Sequence, residues 1–231
     1  MEQFLVDRAF EMKDNLTPVT TADLRAEKMI RRRIAERYPG EDVLGEEEGG
    51  DQSRLTRWVV DPIDGTKSFV SGVPLYATLI AFEEEGEPVI GVAHFPALGE
   101  TVYAERGQGS YWNGERCRVT DNMDLSRAVI SCGGHAAMVE RGRMAGLLTL
   151  ADKCMATRSW CDAYGHALVA TGRIDAMVDP RVSRWDISAM SLIVREAGGS
   201  FTDFKGAPEL SDEAVSCSPQ MLEAVLEAFR A

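Results

Sequence analysis

Histidine is scarce in this chain of 231 residues, with three copies at positions 94, 135 and 166. Their separation leaves no HExxH or HxH pair, so a histidine-built zinc site is not expected. Cysteine supplies no framework either. Cys117, Cys132, Cys154, Cys161 and Cys217 are odd in number, scattered and without a CxxC pair, which argues against a disulfide scaffold or zinc ribbon and for a reducing, cytoplasmic setting. Long apolar runs are missing too. No stretch approaches the roughly 18 uncharged apolar residues of a transmembrane helix, and Glu2, Asp7, Arg8 and Glu11 interrupt the N-terminal segment where a signal peptide needs an apolar core. The expectation is a cytoplasmic protein with no membrane partner.

Positive charge is also in deficit. Lys plus Arg number 25 against 37 for Asp plus Glu, a net charge of −12, and such a field repels phosphodiester backbones and anionic membranes. Nucleic-acid binding is therefore not the expected task. An anionic substrate remains compatible only where bound divalent cations or a local basic cluster reverse the potential. What the chain does have is a 45% hydrophobic, 27% charged composition, that of an ordinary globular protein, at a length suiting one large domain or two closely joined halves.

Leu24, Met29, Ile30, Ile34 and Tyr38 recur at helical spacing, Thr20 and Asp23 read as a capping box before them, and Pro39-Gly40 ends the helix. Trp58-Val59-Val60 reads as a short buried strand ending at Asp61. Residues 75–82, 88–95 and 101–104 are further strands, and Asn113-Gly114 marks a tight hairpin. After residues 128–131 the pattern turns to helices at 141–151, 163–171 and 185–197, a strand at 174–178, and a last helix opened by Ser218-Pro219. Layered α and β structure follows, with a soft boundary between an N-terminal half, 1–125, and a C-terminal half, 126–231.

Chemistry concentrates in Asp61-Pro62-Ile63-Asp64-Gly65-Thr66. A strand brings Asp61 to the sheet edge, Pro62 bends the chain, and Asp64 returns on the same side, so two carboxylates can face one hard cation. Gly65 and Thr66 then begin a helix whose N–H groups can face an anion. By itself a DxxDG segment is also what a capped turn looks like. Gly45-Glu46-Glu47 upstream and Trp185-Asp186 at a late helix start add acids, though such residues are usually solvated or cap helices. A haloacid-dehalogenase pattern is excluded by the three-residue spacing with Pro62 inside it. No Walker A loop is present, and Gly107-Gln108-Gly109 lacks the third glycine of a dinucleotide fingerprint.

Gly45-Glu46-Glu47, Asp61-Pro62-Ile63-Asp64-Gly65-Thr66, and Trp185-Asp186-Ile187-Ser188-Ala189 followed by Ala197-Gly198-Gly199 resemble, in order, the motifs of the inositol monophosphatase family. That resemblance spans nearly the whole chain and includes the Thr20–Asp23 helix start and the hairpin at 107–114. It implies a five-layer αβαβα (α/β, α+β) sandwich like that of inositol monophosphatase and fructose-1,6-bisphosphatase. A Mg²⁺-dependent, lithium-sensitive phosphatase with two to three Mg²⁺ ions is implied with it. By the same resemblance Glu46, Asp61 and the Ile63 carbonyl hold one ion, and Asp61, Asp64 and Asp186 hold a second. Glu47 acts from behind them, and Gly65 and Thr66 bind phosphate. The Thr66 hydroxyl, paired with Asp23, polarises the attacking water, although Asp23 is also explained as a capping residue alone. Family members commonly form homodimers; no interface follows from this sequence.

Substrate choice is expected near Asp186. Asp179 stands where the inositol phosphatases have an acid that accepts substrate hydroxyls. Asp162 replaces the small neutral residue usual there, and a second acid favours a cationic ligand. With Lys67-Ser68-Phe69, Val73-Pro74-Leu75 and 179–186, the chain is most similar to the histidinol-phosphate phosphatase branch. There Asp162 and Asp179 would meet the cationic end of the small phosphorylated substrate and Trp160 would border its ring. The alternatives are an inositol monophosphatase or broader sugar or nucleotide phosphatase, and, more remotely, a non-catalytic cation-binding protein. Asp162 is equally read as a helix cap, and His166 as a packed helix residue rather than a base.

Overall fold

Thr20 starts the first long helix. Its Oγ1 accepts the N–H groups of Ala22 (3.1 Å) and Asp23 (3.4 Å), while Asp23 Oδ2 accepts the Thr20 N–H at 2.8 Å, so both halves of the expected capping box form. The structure, a computed structural model, describes residue 4, residues 10–12 and residues 18–230. Glu2, Asp7 and Arg8, which interrupt the N-terminal apolar segment, lie outside the described residues. Two short strands, β1 (Glu11–Met12) and β2 (Pro18–Val19), precede helix α1 (Thr21–Arg37).

A seven-stranded sheet follows in sequence order: β3 (Val43–Gly45), β4 (Arg57–Asp64), β5 (Ala77–Glu84), β6 (Glu87–Phe95), β7 (Glu100–Glu105), β8 (Gly109–Trp112) and β9 (Glu115–Cys117). Helix α2 (Thr66–Ser71) leaves directly from the end of β4. Only β3–β4 is parallel; every later pairing is antiparallel. Asn113 (φ 50°) and Gly114 (φ 88°) close the β8–β9 hairpin, the left-handed pair that Asn-Gly supplies cheaply.

The second half contains β10 (Val129–Cys132), α3 (His135–Glu140), α4 (Met144–Lys153), β11 (Ala156–Arg158), α5 (Ala163–Ala170), β12 (Ala176–Asp179), α6 (Arg184–Glu196), β13 (Ser200–Thr202), β14 (Ala214–Cys217) and α7 (Pro219–Glu227). Its five strands order as β11-β10-β12-β14-β13. Helices α5 and α6 lie between the two sheets. Val59, Leu79, Ala81, Phe95 and Val102 of the large sheet pack there with Ala167, Ile187, Met190 and Ile193. On the far side of the small sheet, Met138, Leu147, Leu150, Met221 and Val225 from α3, α4 and α7 cover Ile130, Val178 and Val215. With α1 against β4, the layers run α, β, α, β, α, as the resemblance implied.

Helix α6 shows why the layering holds. Residues 187–194 are all buried, since the helix meets a sheet on both sides and has no solvated stripe. Each large apolar side chain buried this way contributes about 1.5–3 kcal/mol. Gly91 of β6 lets α6 come close: a Cβ there would lie 2.7 Å from the Ala189 carbonyl oxygen.

Several boundaries expected from the sequence need correction: the strand placed to end at Asp61 runs on to Asp64 through an irregular register, and the strand placed at 75–82 lies two residues later, at Ala77–Glu84. The helix placed at 141–151 begins at Met144, and a separate helix, α3, precedes it; Gly142 (φ 67°) breaks the chain between them. The strand placed at 174–178 begins two residues later. Among the described residues no helix is long and apolar enough to cross a membrane.

Candidate metal centre

Strand β4 pairs regularly with β5 from Arg57↔Glu83 to Asp61↔Leu79, and then resumes at Asp64↔Ala77. Three steps along β4 thus oppose two along β5. In a regular strand, residues three apart face opposite sides, and the extra residue at Pro62–Ile63 restores Asp64 to the side of Asp61. Pro62 donates no ladder bond, and its carbonyl accepts the Thr78 hydroxyl at 2.9 Å. Both carboxylates are buried, Asp61 to 1% exposure and Asp64 to 4%.

The third acid comes from the other half of the chain. Asp186 lies in the first turn of α6, where the Ser183 N–H donates to its Oδ2 at 2.6 Å, fixing the side chain at the helix start. Carboxylate oxygens of Asp61, Asp64 and Asp186 all lie within 4.8 Å of one another. Glu46 stands within hydrogen-bonding reach of Asp61, and Asp61 within reach of Asp186.

Such crowding is costly without positive charge. Burial, then the charges of Glu46, Asp64 and Asp186, raise the Asp61 carboxyl well above its usual range. Burial, Asp162 and Asp186 raise Asp64 likewise. Asp186 is pushed up to about 7, first by burial and then by Glu46 and Asp162, against the opposing Ser183 N–H. Among the described residues, Asp61 Oδ1 is buried with no hydrogen-bond partner. A buried lone pair facing other carboxylates, with oxygen donors only, fits a hard divalent cation.

The loop carrying Glu46 and Glu47 rests on a residue that sequence reading did not single out. Glu27 of α1, fully buried, accepts the N–H groups of Glu47 (2.8 Å) and Glu48 (3.0 Å) and pairs with Arg31 at 2.8 Å. Arg31 donates in turn to the carbonyls of Val43 (3.1 Å) and Gly49 (2.5 Å). Gly45 is required beside it, because a Cβ would fall 2.1 Å from Glu27 Oε1. The Glu46 N–H is held by the Val60 carbonyl at 3.1 Å. The only sequence signal for Glu27 was an acid on the apolar face of an amphipathic helix.

Asp23 divides its two oxygens. Oδ2 serves the cap, also accepting the Thr20 hydroxyl at 2.5 Å, and Oδ1 faces the Thr66 hydroxyl at 3.3 Å. Thr66 Oγ1 also lies 3.1 Å from the Ile63 carbonyl, so its single proton has two acceptors to choose between. Gly65 adopts φ 79° ahead of α2, and a Cβ there would lie 2.9 Å from the Leu75 carbonyl oxygen.

Asp162 precedes α5 but makes no side-chain cap bond. The Ala163 N–H goes instead to Asp64 Oδ2 at 2.8 Å, and Asp162 Oδ2 faces Gly65. Burial raises the Asp162 carboxyl, Lys67 opposes the rise and Glu46 adds to it. Asp179 is buried, and burial followed by the Asp162 charge pushes it up to about 8. Asp162 and Asp179 therefore sit in the same acidic field as Asp64 and Asp186. Trp160 is 36% exposed, with its backbone N–H donating to Ser131 Oγ at 2.9 Å. His166 is 2% exposed; Nδ1 meets Ser216 Oγ at 2.8 Å and the ring packs on Phe201, so it is a core residue.

Comparison with known proteins agrees with this geometry. The sequence model of the inositol monophosphatase family matches residues 5–231. A histidinol-phosphatase of Chlorobaculum parvum is 39% identical over 206 residues, covering 89% of this chain and 79% of its own length. A fructose-1,6-bisphosphatase/inositol-1-monophosphatase of Thermotoga maritima is 41% identical over 199 residues, 81% of this chain and 72% of that protein. The crystal structure of the extragenic suppressor protein suhB from Bartonella henselae superimposes with a TM-score of 0.91 at 30% identity, covering 99% of this chain and 93% of that one.

Proposed function

The chain belongs to the inositol monophosphatase family, whose members are phosphoric monoester hydrolases, and from that premise we propose a Mg²⁺-dependent phosphatase acting on histidinol phosphate. The observation that carries the metal dependence is the convergence of buried Asp61, Asp64 and Asp186 with an unpartnered oxygen on Asp61. Asp61, Asp64 and Asp186 would hold Mg²⁺, with Glu46 and the Ile63 carbonyl completing a further position. Bound there, Mg²⁺ supplies Lewis-acid charge to the phosphate oxygens and makes water more acidic.

The protein's own groups do the positioning. Asp23, with Oδ2 tied down by Thr20, presents Oδ1 to the Thr66 hydroxyl. When Thr66 donates there, its own lone pairs are left to accept a hydrogen bond from the attacking water, fixing that water's direction. Gly65 and Thr66 offer backbone N–H groups to the phosphate. Glu47, its N–H anchored on Glu27, supports Glu46 from behind.

Asp162 supports the choice of substrate. Its carboxylate makes no side-chain cap bond to α5 and lies in the field of Lys67, which leaves its oxygens facing the site for a substrate cation, and Asp179 adds a second acid in the same field. Histidinol phosphate carries an ammonium and an imidazole to meet them, with Trp160 bordering the ring. Relatives named histidinol-phosphatase at 38–39% identity favour the same substrate. A second reading, inositol 1-phosphate or broad sugar phosphates, draws on the Thermotoga maritima relative and on Asp179 as an acceptor of hydroxyls. Phosphate release across both esters with Mg²⁺ decides: a kcat/KM for histidinol phosphate no higher than for inositol 1-phosphate sinks the first reading.

A further inference from the structure

Glu83 is fully buried on the inner face of β5 and has no place in the chemistry above. It receives charge from two elements at once. Arg57 of β4 donates to Oε2 at 3.1 Å, while Arg184 and Ser188 of α6 each donate to Oε1 at 2.7 Å. Arg184 also donates to the Gly86 carbonyl in the β5–β6 turn, and Arg57 to the Gln52 carbonyl at 3.1 Å. Asp186 lies between Arg184 and Ser188 in sequence.

We propose that Glu83 is a positioning residue: by gripping Arg184 and Ser188 it fixes the rotation of α6 on the large sheet, and so the place of Asp186 against Asp61 and Asp64. Gly91 supplies the pivot, where the α6 backbone at Ala189 touches β6. A rotation of about 20° would move a carboxylate roughly 6 Å from the helix axis by about 2 Å, some ten times the ~0.2 Å tolerance of a metal–ligand distance. Packing alone does not set rotation so finely here, because the buried stretch 187–194 is apolar or small on every side. A charged, directional contact does. The inference rests on the Asp61–Asp64–Asp186 cluster being the Mg²⁺ site, and titrating the unaltered protein with Mg²⁺ by calorimetry tests that reading separately.

The two arms of Glu83 provide the test. Arg184→Met cuts the arm to α6, and Arg57→Met cuts the arm to β4 while leaving α6 gripped. Mg²⁺ affinity is measured calorimetrically on both, with melting temperature alongside. The expected result is a 10- to 100-fold weaker Mg²⁺ affinity in Arg184→Met, the range usual for residues that orient metal ligands, and an affinity within about two-fold of the parent in Arg57→Met, although both melt lower. Arg184→Met binding Mg²⁺ like the parent, or Arg57→Met losing as much, overturns the proposal. Should Arg184→Met not fold, Glu83→Gln keeps the volume and must show the same loss of affinity; an unchanged affinity there overturns it equally.

Discussion

Asp64 Oδ2 accepts the N–H of Ala163, 99 residues further along the chain, at 2.8 Å. One carboxylate thereby closes the first turn of α5 while sitting in the acidic cluster, and Asp162, in the cap position, is left with its side chain free of the helix. Truncating a true N-cap costs about 1 kcal/mol. Asp162→Ala is expected to leave the melting temperature unlowered and to cut kcat/KM for histidinol phosphate far more than for inositol 1-phosphate. Thermal melts and parallel phosphate-release assays check both halves, and a clear drop in melting temperature would return Asp162 to a capping role.

Asp64→Asn is expected to lower kcat/KM by two or more orders of magnitude, since it would remove a proposed anionic Mg²⁺ ligand and weaken the acceptor for Ala163. Asp61→Asn should do likewise, yet melt higher than the parent in chelator, because it removes a charge from a crowded buried group. Mg²⁺ should raise the parent's melting temperature, by the equivalent of about 2.7 kcal/mol at a hundred times Kd, and leave that of Asp61→Asn nearly unchanged. A melt of Asp61→Asn that still shifts fully with Mg²⁺ would count against Asp61 as ligand.

Gly45→Ala drives a methyl into Glu27 Oε1. Overpacking of this kind costs typically 1–3 kcal/mol, and here the strain falls on the loop that bears Glu46. Lower stability in denaturant is expected together with weaker Mg²⁺ binding; normal binding in the destabilised variant would separate the loop from the site.

Burial holds the His166 ring neutral, lowering its pKa to about 3, against about 6.5 in an unfolded chain. Above pH 6.5 neither state is protonated and nothing is lost. As pH falls below that value the unfolded chain gains a proton the folded one refuses, so stability declines by about 1.4 kcal/mol per pH unit until pH reaches about 3. His166→Gln should flatten this part of the curve in urea unfolding measured from pH 7 to pH 4. Parallel curves for variant and parent would rule the ring out.

The motifs that carried the reading were local. Asp61, Asp64, Gly65 and Thr66 sit within one turn of chain, and the Thr20–Asp23 cap is a four-residue signal, so both are legible in the sequence. Their convergence with Asp186 was not derivable from spacing and entered through resemblance. Strands β3, β11, β13 and β14, of three or four residues each, are too short to show a period of two. Glu83 looks in sequence like an ordinary surface acid and Glu27 shows only its place on the apolar face of a helix; long-range partners, α6 for the first and the 45–48 loop for the second, give them their meaning. Asp162 looked like a cap because position favoured it; the competing acceptor, Asp64, is remote in sequence.

Asp61 and Asp64 emerge early in synthesis from the first sheet, whereas Asp186 arrives on a helix wedged between that sheet and the second. A nascent chain that has not yet extruded its last quarter therefore carries only two of the three converging carboxylates. The acidic cluster is complete only once the later half has docked on the first sheet, which ties its assembly to completion of the fold.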